Sequence, residues 1–396
     1  MKSAAAVLGI ARREFGRIAA RPVLLGLLVA GPLLLFALIG SVYSRRVVTD
    51  IPVAVCDLDR TALSRSLERM VESTRSLKVV ATVASVEEME SAMRAGRTEG
   101  GFLFPRGMEA DLKAGQATHL VVYKNTQNLI IGNLIYRDAA AIARTVSGGA
   151  LLRRLRLAGF GEDQAMGAAN PIRLDVYSVV NPGYNYANFL VSSLLPVMLQ
   201  MMLMLAAVLA LNSEGAEGTL AAALGQAGGE PWVLLAGKAL PYAALGMAQM
   251  LALLGLVFPL LAIPVDGDPG VVFGLSALLV AASVSPALMI SSLVSEAQLA
   301  TELTVFATTP AFLLSGHTFP LRAMPAAYQA VAQLAPSTHF LNGFVKAQQP
   351  GSTFAHVIGE ALALALFAVL PLLICRWRLP RLLRGPTATA VAGARP

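Results

Sequence analysis

Long stretches without charged side chains are the feature that most constrains how this chain folds. The first, residues 22–44, carries no charge over its whole length. A helix needs about 20 consecutive apolar residues to cross the hydrocarbon core of a bilayer, so this run is long enough to span a membrane. It is also longer than the roughly 7–15 apolar residues typical of a secretory signal. We therefore expect a retained membrane anchor.

Five further apolar runs crowd the second half of the chain. With 56% hydrophobic and only 14% charged residues, the composition differs from that of soluble domains, which carry about 25% charged residues. We predict an α-helical integral membrane protein with six transmembrane helices, the second to sixth lying within 187–375. The predicted spans are 22–43, 187–211, 239–263, 271–293, 303–316 (extendable to about 321) and 354–375. The last contains His356 and Glu360 near one end, where polar side chains can reach the interface.

The polar segment between the first two spans, residues 44–186, predicts a folded α/β domain. Four short apolar runs have the length of strands: 51–57, 77–83, 100–105 and 119–125. Helical spacing of apolar residues is found between them and after them: 60–73, 85–96 and 127–156. Alternating strands and helices favour a partly parallel sheet. No reaction centre is evident in this domain, so we expect it to be a binding or docking module.

Basic residues at the two ends of the chain predict its orientation. They precede the first span and follow the last: Lys2, Arg12, Arg13, Arg17, Arg21, Arg376, Arg378, Arg381, Arg384 and Arg395. By the positive-inside rule both termini are cytoplasmic, and the α/β domain is then extracytoplasmic; Arg45 and Arg46 favour the opposite, but long domains cross largely regardless of charge. Residues 1–21 are predicted to form a cytoplasmic amphipathic helix and residues 376–396 a basic cytoplasmic tail. The net charge of +7 is thus an orientation signal, and no nucleic-acid partner is expected.

Motifs for chemistry are missing from the sequence. A nucleotide-binding P-loop requires G-x-x-x-x-G-K-[ST], whereas Gly237-Lys238 is followed by Ala239. The four histidines are scattered, without the i, i+4 spacing of a metal pair. We predict no catalytic residue, no metal and no cofactor bound by this chain, so it is not expected to be an enzyme. A disulfide between Cys56 and Cys375 is not expected either, since they lie in different segments.

Polar and flexible side chains inside the spans mark the expected substrate path. These residues are Asn188, Met198, Gln200, Met202, Gln249, Thr304 and Thr308. Methionine suits apolar surfaces that accept varied ligands, and single polar residues in spans also bind neighbouring helices. Packing or lipid-facing positions are the alternative interpretation.

The segment 212–238 contains a recurrent pattern of an acidic turn, a short helix and a Gly-Lys step into the next span. Its elements are Glu214, Glu217, Gly218-Thr219, Leu220 to Leu224, Pro231-Trp232, Gly237-Lys238 and Leu240-Pro241-Tyr242. They resemble the cytoplasmic coupling segment of ABC type-2 transporter permeases, in the subgroup with a large domain after the first span. The region 317–353 likewise resembles the outer hairpin of that family.

The resemblance implies the membrane subunit of an ATP-driven exporter in the bacterial inner membrane. Its substrate would be a hydrophobic drug-like compound or lipid, leaving the cytoplasm or the inner leaflet. Its partners would be cytoplasmic ATPase subunits holding ATP and Mg, a second permease copy (identical or not), and a periplasmic adaptor with an outer-membrane channel. Coupling is assigned to Glu214, Glu217, Gly218, Thr219 and Leu220, with the two glutamates facing basic residues of the ATPase and Thr219 capping the helix.

Two other classes stay open. A secondary transporter would need ionisable residues deep in the spans, and the central spans carry none. A non-transporting receptor or scaffold would use the α/β domain to bind a partner and would need no ATPase.

Overall fold

The computed structural model describes residues 2–43, 48–169 and 186–382. The chain divides into two compact units, Met1–Arg46 with Val179–Pro396, and Val47–Ser178. We call them the helical unit and the sheet unit. The helical unit begins with α1 (Lys2–Ala20) and α2 (Pro22–Val42). Proline at the first position of α2 suits its fixed φ and its missing N–H.

The sheet unit contains a four-stranded sheet in the order β2-β1-β3-β4. Its strands are β1 (Ile51–Asp57), β2 (Leu77–Val83), β3 (Gly100–Phe104) and β4 (Val121–Lys124). β1 pairs in parallel with β2 and with β3, and β4 runs antiparallel to β3. The helices are α3 (Ala62–Glu72), α4 (Val86–Arg94), α5 (Met108–Ala114), α6 (Leu129–Leu157) and α7 (Glu162–Ala169). The predicted partly parallel sheet is confirmed.

Helices cover both faces of this sheet, which explains why β1 is apolar throughout. Leu67 of α3 and Ile135 of α6 pack on one face, and Met89 of α4 packs on the other. Strands buried on both faces are continuous apolar runs, whereas half-buried strands alternate. Cys56 is fully buried on the α4 face, and this burial raises the pKa of its thiol.

The rest of the helical unit is a bundle of unequal helices. They are α8 (Tyr186–Ala207), α9 (Leu209–Ala216), α10 (Leu220–Gln226), α11 (Pro231–Leu260), α12 (Pro269–Leu293), α13 (Ala297–Thr308), α14 (Ala311–Leu314), α15 (Ala326–Ala332), α16 (Pro336–Ala347) and α17 (Phe354–Leu382). The central α12 packs against α17, α8 and α11. Its sequence accordingly has no polar face, and most of its residues are buried.

Five helices in the described part of the chain are long and apolar enough to cross a membrane. They are Pro22–Val42, Ala187–Ala216, Pro231–Leu260, Pro269–Leu293 and Phe354–Pro380. The predicted fifth span, 303–316, is instead shared between α13 and α14, which are separated at Thr309 and Pro310. Proline lacks the N–H that would continue the helical hydrogen bonds. The combination of apolar spans with a small sheet domain is confirmed, whereas the number six and the side on which that domain lies stay predictions.

The third span begins at Pro231, eight residues before the predicted 239. A proline at the first helical position starts the helix, and the residues up to Lys238 belong to α11. The predicted coupling loop 212–238 therefore consists of the end of α9, all of α10 and the first turns of α11. The outer region 317–353 contains a 3-10 turn at Leu321–Ala323, followed by α15 and α16.

Candidate functional site

A buried group of charges joins α1 to the ends of α9 and α11. Lys238 Nζ lies 2.5 Å from Glu14 Oε2 and 2.6 Å from Glu214 Oε1, and the three side chains are at most 2% exposed. Tyr242 donates a hydrogen bond from its hydroxyl to Glu14 Oε1 at 2.9 Å. Buried charges are stable only when they are paired and hydrogen-bonded, and this arrangement pairs each of them across helix boundaries.

Three arginines in and directly after α1 extend this group towards the surface. Arg13 and Arg17 lie one turn apart on one face of α1, and Arg21 lies between α1 and α2 in an extended conformation. Arg13 contacts Glu214 Oε2 at 2.9 Å, and Arg17 contacts Glu217 Oε2 at 2.9 Å. Arg17 also pairs with Glu214, and Arg21 pairs with Glu217. We call the whole group the ionic cluster: Glu14, Glu214, Glu217, Arg13, Arg17, Arg21 and Lys238.

The Gly-Lys step of α11 explains how α1 comes so close. A Cβ atom at Gly237 would lie 2.7 Å from Cβ of Ile10 and 3.1 Å from the Val7 carbonyl oxygen. At this position of α11, only glycine leaves room for α1. Lys238 follows directly, and Tyr242 lies one turn later on the same face, where both reach Glu14. The glycine, lysine and tyrosine of this G-K-x-x-x-Y pattern thus form the face of α11 that contacts α1.

The turn between α9 and α10 positions Glu214 in the cluster. Gly218 has a φ of +68°, a left-handed conformation that glycine adopts without strain. The Thr219 amide then donates to the Glu214 carbonyl oxygen at 2.9 Å. The Thr219 hydroxyl donates to the Glu214 carboxylate and makes no capping bond to α10. Thr219 therefore occupies the predicted N-cap position of α10, but its hydroxyl binds Glu214 and does not cap the helix. Leu220 is half-buried against the core.

Glu214 cannot face a partner protein in this conformation. It is fully buried, with one carboxylate oxygen on Lys238 and the other on Arg13 and Thr219. The predicted direct contact between Glu214 and basic residues of an ATPase is corrected accordingly. Glu217 remains 45% exposed while it pairs with Arg17 and Arg21.

Five members of the ionic cluster were not predicted as site residues: the three arginines, which the sequence analysis assigned to orientation, and the buried pair Glu14 and Lys238. Glu14 is the only acid of α1 and lies midway between Ile10 and Ile18, on the apolar side of that helix. Lys238 is the only charge within an otherwise apolar α11. A charged residue inside an apolar stripe is the signal that could have identified both, since it needs a buried partner.

The helix α10 presents small residues outwards. Ala223 is buried, whereas Ala221, Ala222, Gly225 and Gln226 are exposed. A surface of short side chains allows close approach of a partner backbone or of large side chains. The helix α10 lies between the end of the second span, which contains Glu214, and the start of the third span, which contains Lys238.

The seven residues of the predicted substrate path do not lie together. Gln200 and Thr308 line a groove of about 600 Å³ that is bounded by residues of α12, α13 and α17. Gln249 donates from Nε2 to the Leu28 carbonyl oxygen at 2.6 Å, which joins α11 to α2. Met202 lies beside Gly31 of α2. The groove contains only two of the predicted residues, and Gln249 and Met202 connect helices.

The other three path residues have local roles or no role in the groove. Thr304 donates to the Ala300 carbonyl oxygen within α13. Asn188 is buried near the start of α8, and Met198 is half-buried against the core. Within the described ranges, no three His, Cys, Asp or Glu side chains are arranged to hold a metal ion.

Comparison with known proteins gives one family. The family described as ABC-2 family transporter protein matches residues 22–376, so the match includes α10 and Lys238 but begins after α1. No curated protein matches the chain. A match over most of the sequence, together with five apolar helices of spanning length, shows that this chain belongs to the ABC-2 transporter family, whose members are multi-pass membrane permeases that associate with ABC ATPase subunits.

Proposed function

We propose that this chain is the permease of an ATP-driven exporter and that α10 is its docking element for the ATPase. The observation that carries the proposal is the Glu14–Lys238–Glu214 contact, which joins three helices directly beside α10. A displacement of α10 would otherwise be absorbed by the glycine-containing turns at its ends, at Gly218 and at Gly228-Gly229. Because the ionic cluster holds α1, α9 and α11 together, a displacement of α10 would move the joined ends of these three helices.

In this proposal Glu214 connects helices within the ionic cluster and does not contact the ATPase directly. Its carboxylate connects the end of the second span to the start of the third through Lys238. Glu217 and the two arginines paired with it extend the connection to the exposed edge. Coupling by Glu214, Glu217, Gly218, Thr219 and Leu220 is therefore mechanical in this proposal, and α10 supplies the contact surface.

The wider assignment follows the family. The chain would act as a dimer, homo- or heteromeric, in a bacterial inner membrane, with both termini and α10 in the cytoplasm. ATP and Mg would be held by the partner ATPase, and this chain would bind no cofactor and catalyse no reaction. The cargo would be a hydrophobic drug-like compound or lipid, with a periplasmic adaptor and an outer-membrane channel as further partners. The groove that contains Gln200 and Thr308 is the surface we assign to the cargo.

Co-purification with an ABC ATPase tests the proposal. The wild-type chain should retain the ATPase through a gel-filtration column and raise its rate of ATP hydrolysis. Ala222→Arg places a long charged side chain on the exposed face of α10 and should abolish retention. Ser91→Arg, on an exposed position of α4, is the matched surface control and should behave as wild type. Equal retention by both variants would contradict docking through α10, and no retention of any ATPase by wild type would favour the scaffold class.

A further inference from the structure

The sheet unit has a groove that the proposed export function leaves unexplained. It lies between the start of α3, the helix α5 and the second half of α6, and it encloses about 560 Å³. Small-molecule sites typically enclose about 300–1,000 Å³ and combine apolar walls with a few polar groups. The apolar part of this groove is formed by Leu63, Leu112, Val146 and Leu157.

Two arginines give the groove an excess of positive charge. Arg153 and Arg154 both line it, and among the described residues neither has an ion-pair partner. The other charges cancel, because Lys113 Nζ lies 2.5 Å from Glu109 Oε1. This lysine and the Leu63 amide lower the pKa of Glu109 to about 2, so the carboxylate is ionised at neutral pH and balances Lys113. The two guanidinium groups remain unbalanced.

The geometry of α6 fixes where charge and apolar surface meet. The first half of this helix is buried beneath the sheet by Leu134, Ile135 and Ile142. In the second half, Val146, Ala150, Arg153 and Leu157 are spaced by four, three and four residues and so share one face, which lines the groove. The face is apolar at Val146 and Ala150, and it carries the Arg153 guanidinium group towards its end.

The Arg154 guanidinium group lies beside the groove, next to the turn that ends α5. A Cβ atom at Gly115, the residue that ends α5, would lie 2.5 Å from Arg154 Nη2. The guanidinium therefore lies directly against the Gly115 turn, where any larger residue would displace it.

We propose that this groove binds an amphiphile with one anionic head group, a carboxylate or a phosphate, and an apolar tail. Guanidinium groups bind both anions through two parallel hydrogen bonds. Arg153 and Arg154 take the head group, and the apolar residues of α3, α5 and α6 take the tail. The site belongs to the sheet unit alone and does not rest on docking of an ATPase, so either proposal can fail without the other.

Photolabelling of the full chain tests the site. The protein, in nanodiscs of uncharged lipid, is labelled with a medium-chain alkyl phosphate that carries a diazirine on its tail, and the labelled residues are mapped by mass spectrometry. The phosphate probe should label residues 146–157 and the facing residues of α3 and α5. The corresponding alcohol, with the same tail and no charge, should label them at least about tenfold less, since it lacks the anionic oxygens that guanidinium groups bind.

Two variants separate the head group from the tail. Arg153→Ala with Arg154→Ala should weaken labelling by the phosphate about tenfold or more, whereas Arg144→Ala should not change it, because Arg144 lies on the same helix outside the groove and donates to Ala140. Ala150→Phe fills the groove while keeping both arginines and should also abolish labelling. Elution volume and melting temperature matched to wild type show that these variants fold.

Three results would overturn the proposal. The first is equal labelling of the groove by the phosphate and the alcohol, which would show an apolar site only. The second is unchanged labelling in the double arginine variant. The third is competition by inorganic phosphate as strong as that by the alkyl phosphate, which would show an anion site without a role for the tail. A carboxylate probe with the same tail tells whether the site prefers a fatty acid or a phospholipid-like head group, and labelling by either one supports the proposal.

Discussion

Replacing Lys238 by methionine should release α1 from the rest of the helical unit. Methionine keeps the length and apolar stem of the side chain but removes the ammonium that pairs with Glu14 and Glu214. Glu214 keeps Arg13, Arg17 and Thr219 as partners. Glu14 is left with the Tyr242 hydroxyl and becomes a buried carboxylate without a cation.

The expected cost in free energy follows from leaving the Glu14 carboxylate buried and unpaired. Removing one partner of a buried ion pair typically costs about 3–5 kcal/mol. Detachment of α1 exposes Glu14 to water and relieves the cost, so the equilibrium between attached and detached α1 should shift by the same amount. In populations this is roughly a 150- to 4,000-fold increase in the detached state, at about 1.4 kcal/mol per factor of ten.

Thiol labelling measures the detached population. A cysteine at the buried position Ala11 of α1, in a background with Cys56 and Cys375 replaced by alanine, reacts with a maleimide only when α1 opens. Lys238→Met should accelerate this reaction by two to three and a half orders of magnitude, as estimated above from the cost of an unpaired buried charge. Glu14→Gln, which leaves Lys238 paired with Glu214, should accelerate it much less.

The double variant decides whether the two residues act on each other. Lys238→Met with Glu14→Gln leaves no unpaired buried charge at α1, so its labelling should be slower than that of Lys238→Met alone. Coupling energies between contacting residues are about 0.5–3 kcal/mol. Labelling of Lys238→Met within twofold of wild type, or effects of the two changes that simply add, would refute the ion pair as the attachment of α1.

Three further outcomes follow from the same structure. Gly237→Ala should speed this thiol labelling by about 5- to 150-fold, since overpacking costs roughly 1–3 kcal/mol; Gly255→Ala is the control, because a Cβ there meets nothing within 4 Å. Cys56 should resist maleimide in the native protein and react after denaturation, since it is buried and burial raises its pKa; rapid native labelling would contradict the strand assignment. If the sheet unit is extracytoplasmic, Ser91→Cys should react with an impermeant maleimide in intact cells and Gly225→Cys only after permeabilisation, and the reverse pattern would invert the topology.

Local sequence patterns predicted the four strands and three of the helices of the sheet unit, but not the short helices α5 and α7. The runs at 51–57 and 77–83 match β1 and β2 residue for residue, because apolar β-branched runs bounded by turn residues have few alternatives. Ser85 accepts a hydrogen bond from the Glu88 amide at the start of α4, as is typical of a Ser-x-x-Glu sequence before a helix. These signals act over a few residues and need no knowledge of the fold.

Long-range partners could not be predicted in this way. Glu14 and Lys238 are 224 residues apart, and no pattern in either segment names the other. The sequence assigned the arginines in and directly after α1 to orientation and Glu214 to an external partner, whereas the fold pairs them with each other. The interrupted fifth span had a local signal in Pro310, which the apolar run around it concealed.

ATP hydrolysis by a bound ABC ATPase is the measurement that tests the central claim most directly. The ATPase rate is compared between complexes of wild type, Lys238→Met, and the double variant with Glu14→Gln, each confirmed to contain both proteins. We predict that all three complexes assemble through α10, that wild type raises the ATPase rate, that Lys238→Met raises it far less, and that the double variant recovers part of the difference. Equal stimulation by wild type and Lys238→Met would contradict coupling through the ionic cluster.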